Sequence, residues 1–77
     1  MDFKVNDIIR LVTARYGISP ADPVWNEQGK KTCGCVTAVV EGDMEPIKVK
    51  WNNGRINSYV ENDLGHVEYE WNEEENE

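Results

Sequence analysis

The alternation of apolar and polar positions is clearest between residues 47 and 64. Ile47, Val49 and Trp51 alternate with Lys48 and Lys50, the period of a strand with one buried face. Asn53-Gly54 follows at once. A type I′ hairpin turn needs positive φ at both central positions, and Asn followed by Gly supplies it at little cost. A turn centred there sets a register in which Trp51 lies opposite Ile56, Val49 opposite Ser58, and Ile47 opposite Val60. The other face then pairs Lys50 with Asn57 and Lys48 with Tyr59. One face is apolar and the other polar, and a slip of one residue would carry the lysines inside. Trp51 is therefore predicted to point into the core and Tyr59 away from it.

The remaining elements follow in chain order. Asn6-Asp7 favours a turn, and Ile8-Ile9-Arg10-Leu11-Val12 reads as a first strand. A helix over residues 7–16 capped by Asn6 competes for the same stretch, since so short an apolar run has no decisive period. Gly17, Pro20, Pro23 and Gly29 make residues 15–31 a long loop, because prolines at this density break both helix and central strand. Trp25 in that loop either folds back as a lid on the core or presents a binding surface. Residues 32–41 read as a second strand, with Gly34 predicting a bulge or sharp bend. Residues 61–65 suggest a short helical turn stopped by Gly65, with Leu64 plugging the core. A fifth strand is predicted at residues 66–71, with Val67, Tyr69 and Trp71 inward and His66, Glu68 and Glu70 outward. Five short strands, a long first loop and a turn before the last strand fit an all-β, SH3-like small barrel over residues 1–71. Residues 72–77 are expected to form a disordered acidic tail.

Length and charge narrow the picture. A chain of 77 residues is one small domain, and chains of this size bury only about 60% of their unfolded surface. No apolar run approaches a membrane span of about 20 residues, and the opening Met-Asp-Phe-Lys lacks an apolar leader core, so a cytosolic location is expected. The net charge of −7 is uneven: residues 68–77 carry six glutamates and no base, while residues 1–67 carry only −1. Such acidic ends aid solubility or steer the chain toward a basic partner. Cys33 and Cys35 flank one glycine, a spacing that strains a disulfide and reads as two small thiols in a reducing compartment. A zinc site would have to recruit His66 and a carboxylate, and structural zinc sites usually use paired ligands at wider spacing. No metal or cofactor is expected.

Several residues together carry a family likeness. The segments Val5-Asn-Asp-Ile-Ile-Arg10, Asp22-Pro-Val-Trp25, Gly34-Cys-Val36, Val49-Lys-Trp-Asn-Asn-Gly54, Asn57-Ser-Tyr59 and Asp63-Leu64 resemble the Mind bomb/HERC class of SH3-like domains. They resemble equally the small one-domain relatives found in bacteriophage genomes, and the likeness spans about residues 3–71. The family pattern has Gly-Asp where this chain has Asn6-Asp7, and Gly-Thr-Val where it has Gly34-Cys35-Val36. The resemblance implies a non-catalytic domain that binds peptide segments of protein partners; if the chain is phage-encoded, it implies an accessory protein in the host cytoplasm.

Catalysis is not expected, because the single histidine stands apart from any nucleophile motif and neither a P-loop nor a dinucleotide fingerprint is present. A protein-interaction module is the first reading. Its candidate surface is an aromatic groove between the long first loop and the central hairpin, suited to an extended peptide. The candidate contacts are Tyr16, Trp25 and Tyr59, with Asn57 as a polar contact and Glu61 and Asp63 as nearby acids. Tyr59 on the lysine face would serve either as a cation–π partner of Lys48 or as a ligand contact. Two other readings stand beside it. One is an acidic inhibitor, or nucleic-acid mimic, occupying the basic site of a host DNA- or RNA-handling protein. The other is a nucleic-acid-binding barrel using Lys30, Lys31, Lys48, Lys50 and Arg55, against which the acidic tail would compete.

Overall fold

The computed structural model describes residues 2–26 and 31–68. It is all-β. Five strands, β1 (Ile8–Leu11), β2 (Gly34–Val39), β3 (Ile47–Trp51), β4 (Ile56–Tyr59) and β5 (Leu64–His66), form one antiparallel sheet in the order β4-β3-β2-β1-β5. A 3-10 turn, Glu61–Asp63, separates β4 from β5. No helix among the described residues is long and apolar enough to cross a membrane. Expected residues Lys30, Tyr69, Glu70 and Trp71, and the tail at 72–77, lie outside the described residues.

The opening turn excludes the competing N-terminal helix. Asn6 has φ of 80°, a left-handed conformation that asparagine tolerates better than most residues. Its N–H donates to the Val36 carbonyl at 2.8 Å, and the Val36 N–H donates to the Asp7 carbonyl at 2.9 Å. The turn is thus stitched to β2 before β1 begins. Along β1, Ile9 and Leu11 are fully buried, while Ile8 and Arg10 are half-buried. The core joins them to Phe3, Val36, Ile47, Val49, Trp51, Tyr59 and Leu64.

The hairpin register differs from the sequence expectation by one residue. The pairs are Ile47 with Tyr59, Lys48 with Ser58, Val49 with Asn57 and Lys50 with Ile56. The reason lies in the turn. Only Gly54 has positive φ (91°), so Asn53 does not take up type I′ geometry. Instead the Gly54 N–H donates to the Trp51 carbonyl at 2.9 Å, and the Trp51 N–H to the Arg55 carbonyl at 2.7 Å. This is a longer loop, a type I turn followed by a left-handed glycine that bulges out of the ladder. Trp51 is inside as expected. Tyr59 is also inside and fully buried, which corrects its expected place on the lysine face, and Ile56 takes the outward position at 72% exposure.

Three smaller corrections follow from backbone geometry. The irregularity in β2 falls between Val36 and Ala38, not at Gly34, and Thr37 there donates its hydroxyl to the Lys48 carbonyl at 3.2 Å. Gly34 pairs regularly with both Ile9 and Trp51. Its need is close approach: a Cβ there would lie 2.5 Å from Val49 Cγ1 and 2.7 Å from Trp51 Cε3. Gly65 does not stop the 3-10 turn; it lies within β5 opposite Arg10, so the last strand starts at Leu64.

Candidate functional site

The long first loop lies against the central hairpin, and side chains bond the two directly. It leaves β1 at Val12, whose N–H donates to the Asp63 carbonyl at 2.8 Å. It then folds on itself around Pro20-Ala21: the Asp22 N–H donates to the Ser19 carbonyl at 3.0 Å, and the Ser19 N–H to the Asp22 carbonyl at 3.4 Å. On its return, Val24 bridges to Leu11 and the Trp25 N–H donates to the Leu11 carbonyl at 3.0 Å.

The loop tip is fastened to the inner side of the hairpin by side chains that alternate along it. Asn53 Nδ2 donates to the Pro20 carbonyl at 2.8 Å. Asn57 Nδ2 donates to Asp22 Oδ1 at 3.0 Å. The Tyr59 hydroxyl lies 2.8 Å from Asp22 Oδ1 and 2.9 Å from the Ala21 carbonyl, while accepting the Trp51 indole N–H at 3.1 Å. With one proton for two acceptors, that hydroxyl is held most strongly by the charged carboxylate. Burial, and then the bond to Asp22, push its ionisation well above the ordinary tyrosine range. The bonds to Asp22, Ala21 and Trp51 explain how a polar tyrosine and asparagine are tolerated on a core-facing strand.

The base of the loop has a second anchor. Tyr16 donates its hydroxyl to Asp63 Oδ2 at 2.5 Å and meets the Tyr59 ring edge-on at 5.5 Å. Arg15 Nη2 lies 3.0 Å from the same carboxylate oxygen and donates to the Tyr16 hydroxyl at 2.8 Å. Asp63 is 5% exposed, and these two partners make its burial tolerable. Burial and the Asp63 bond raise the Tyr16 ionisation as well.

Of the six predicted contact residues, four therefore sit in one internal network: Tyr16, Asn57, Tyr59 and Asp63. Trp25 lies apart on the returning limb, half-buried. Glu61 is also half-buried and accepts the Asp2 N–H at 2.9 Å, fixing the N-terminal arm. The expected Lys48–Tyr59 pairing is absent because the register places Ser58 opposite Lys48, whose ammonium instead reaches Asp43 at 3.1 Å and the Glu45 carbonyl at 2.9 Å. Lys48 and Lys50 share the outer face with Ile56, and Lys31 and Arg55 are exposed. Sequence reasoning missed Arg15, Asn53 and the acceptor role of Asp22. The Asp22 contacts to Asn57 and Tyr59 span 35 and 37 residues, and no local pattern signals them.

Two further groups carry chemistry-bearing side chains. Cys33 is fully buried beside Asn52 and Cys35 is half-buried; both are free thiols, and burial raises the ionisation of each. His66 stacks on Phe3 with ring centroids 4.4 Å apart, and its Nε2 lies 3.0 Å from Asp7 Oδ2. Among the described residues no three His, Cys, Asp or Glu side chains gather to hold a metal ion. Comparison with protein-family models, with characterised proteins and with solved structures finds no match.

Proposed function

We propose that this protein is a non-catalytic protein-binding module whose contact surface is the outer side of the first loop. The observation that carries the reading is the loop's two-sidedness. One side is locked by Asn53, Asn57, Tyr59 and the Tyr16–Asp63 bond, while along the loop Val12 and Ile18 are each 43% exposed and Trp25 is half-buried. A loop of this length in a compact domain is either functional or packed by its own side chains; this one is held to the hairpin through Asn53, Asn57 and Tyr59. Locking it in advance lowers the ordering cost that a flexible loop would incur on binding.

The sequence likeness to Mind bomb/HERC domains supports the same reading. Asn6 stands where that pattern has glycine, and it holds the positive φ of 80° that glycine would take most readily. The surface differs from the groove expected from sequence. Tyr59, Asn57 and Asp63 act as positioning residues behind the loop, while Trp25 and Ile18 are the contact candidates.

The test is peptide selection from a displayed random library against the whole chain, followed by titration of the selected peptides. Trp25→Ala and Ile18→Ala are expected to weaken binding by about 1–2 kcal/mol each, the cost of losing an anchor. Ile56→Ala, on the opposite face of the hairpin, is expected to leave it unchanged. Peptides that bind equally well to both loop variants would refute the assignment of the surface.

A further inference from the structure

The turn that sets the register also contains a chemically labile pair. In Asn-Gly the glycine nitrogen is unhindered and attacks the carbonyl carbon of the preceding side chain. The Gly54 nitrogen would bond to Cγ of Asn53 while its proton and the side-chain amide leave together as ammonia. Water then opens the cyclic imide at one carbonyl or the other, giving aspartate or isoaspartate. Both ends of the Asn53 amide are held against this motion. Nδ2 donates to the Pro20 carbonyl at 2.8 Å, and Oδ1 accepts the Arg55 N–H at 2.9 Å. The Gly54 nitrogen is itself engaged, donating to the Trp51 carbonyl at 2.9 Å.

We infer that Asn53–Gly54 is a deamidation site guarded by the tip of the first loop, and that its conversion releases the tip irreversibly. The guard is the Pro20 carbonyl, since turning Cγ toward the Gly54 nitrogen pulls Nδ2 away from it. Release follows from the product's chemistry. An aspartate has no donor where Nδ2 was, so two acceptors face each other at the former hydrogen bond. Isoaspartate in addition reroutes the backbone through the side-chain carbon, in the turn that fixes the β3–β4 register. The anchors at Asp22 remain, so the tip loosens before the barrel does. The inference does not depend on what the loop binds.

Two measurements test it on the whole chain. In Asn53→Asp, amide exchange at Ser19 and Asp22, which bond across the tip, is expected to quicken by roughly fivefold, the equivalent of one ordinary hydrogen bond. Exchange at Ile9 and Val49 is expected to hold, and unchanged exchange at the tip overturns the release. In the wild-type chain, mass spectrometry at mildly alkaline pH follows conversion of Asn53 in the folded protein and in a free peptide of residues 49–58. Conversion at least about tenfold slower in the folded chain is expected for a guarded site. Equal rates overturn the guard, whether or not the aspartate variant folds.

Discussion

Replacing Tyr59 by phenylalanine removes one oxygen from the centre of the loop–hairpin contact. The ring stays, with its edge-on contacts to Tyr16 at 5.5 Å and Trp51 at 5.6 Å. Two things are lost. The Trp51 indole N–H, in a side chain that is fully buried, no longer has the acceptor it held at 3.1 Å. An orphaned buried donor costs about 1–3 kcal/mol. Asp22 also loses the hydroxyl at 2.8 Å and keeps Asn57. A hydrogen bond to a charged group contributes about 1.5–3 kcal/mol. Both losses share one oxygen and do not add in full, so the expected cost is about 3 kcal/mol. That is a large share of the roughly 3–5 kcal/mol that one small core supplies. Urea unfolding followed by tryptophan fluorescence is the assay, and the midpoint is expected to fall with the slope unchanged. A tyrosine with its hydroxyl in solvent would change stability by no more than about 0.5 kcal/mol. A result of that size would refute the buried network.

Other consequences are open to simple measurement. Gly34→Ala places a methyl carbon 2.5 Å from Val49 and 2.7 Å from Trp51, both core residues. It is expected to cost about 1–3 kcal/mol by overpacking, and an unchanged or raised melting temperature would contradict the close approach. For Asp7, burial raises the carboxyl pKa, but hydrogen bonds from His66 and the Lys4 N–H outweigh it and leave it below the ordinary 3.8. A depressed carboxyl contributes stability that is complete above the unfolded value and lost as pH falls through the folded one. The drop in stability on acidification below 3.8 is therefore expected to be smaller in Asp7→Asn, and equal drops would show that Asp7 is not a contributor. Burial raises both thiol ionisations, so alkylation by iodoacetamide is expected to be slow, with half-buried Cys35 modified before fully buried Cys33. The reverse order would place Cys33 outside the core.

The first four strands, the 3-10 turn and the long loop were legible in the sequence because each has a local cause, whereas β5 starts at Leu64, two residues before the alternation that predicted the last strand. Alternation marks β3, the Asn6-Asp7 turn precedes β1, and prolines exclude regular structure from the loop. The register was not legible, because Asn-Gly serves two turns equally well. In a type I′ turn both residues take positive φ; in the longer turn only the glycine does, and here Gly54 alone has it. The apolar pattern favoured the first, since it would bury Ile56 and Val60 rather than Asn57 and Tyr59. Burying the polar pair succeeds only because Asp22 and Ala21 arrive from a loop far away in sequence. The same contacts hold Tyr59 inside, against the loop. Sequence located the loop and four of its network residues but not the bonds that join them, because their partners lie beyond any local window.

The central claim is the pairing of β3 with β4, and cross-strand nuclear Overhauser effects test it most directly. With Trp51 and Arg55 joined by a backbone hydrogen bond, Lys50–Ile56 and Lys48–Ser58 are the non-hydrogen-bonded pairs, in which α-protons of facing residues come close. Strong α-proton contacts are predicted between Lys50 and Ile56 and between Lys48 and Ser58. In the register with one residue less in the turn, the close α-proton pairs would be Trp51 with Ile56 and Val49 with Ser58; those contacts would put Tyr59 in solvent and contradict the account.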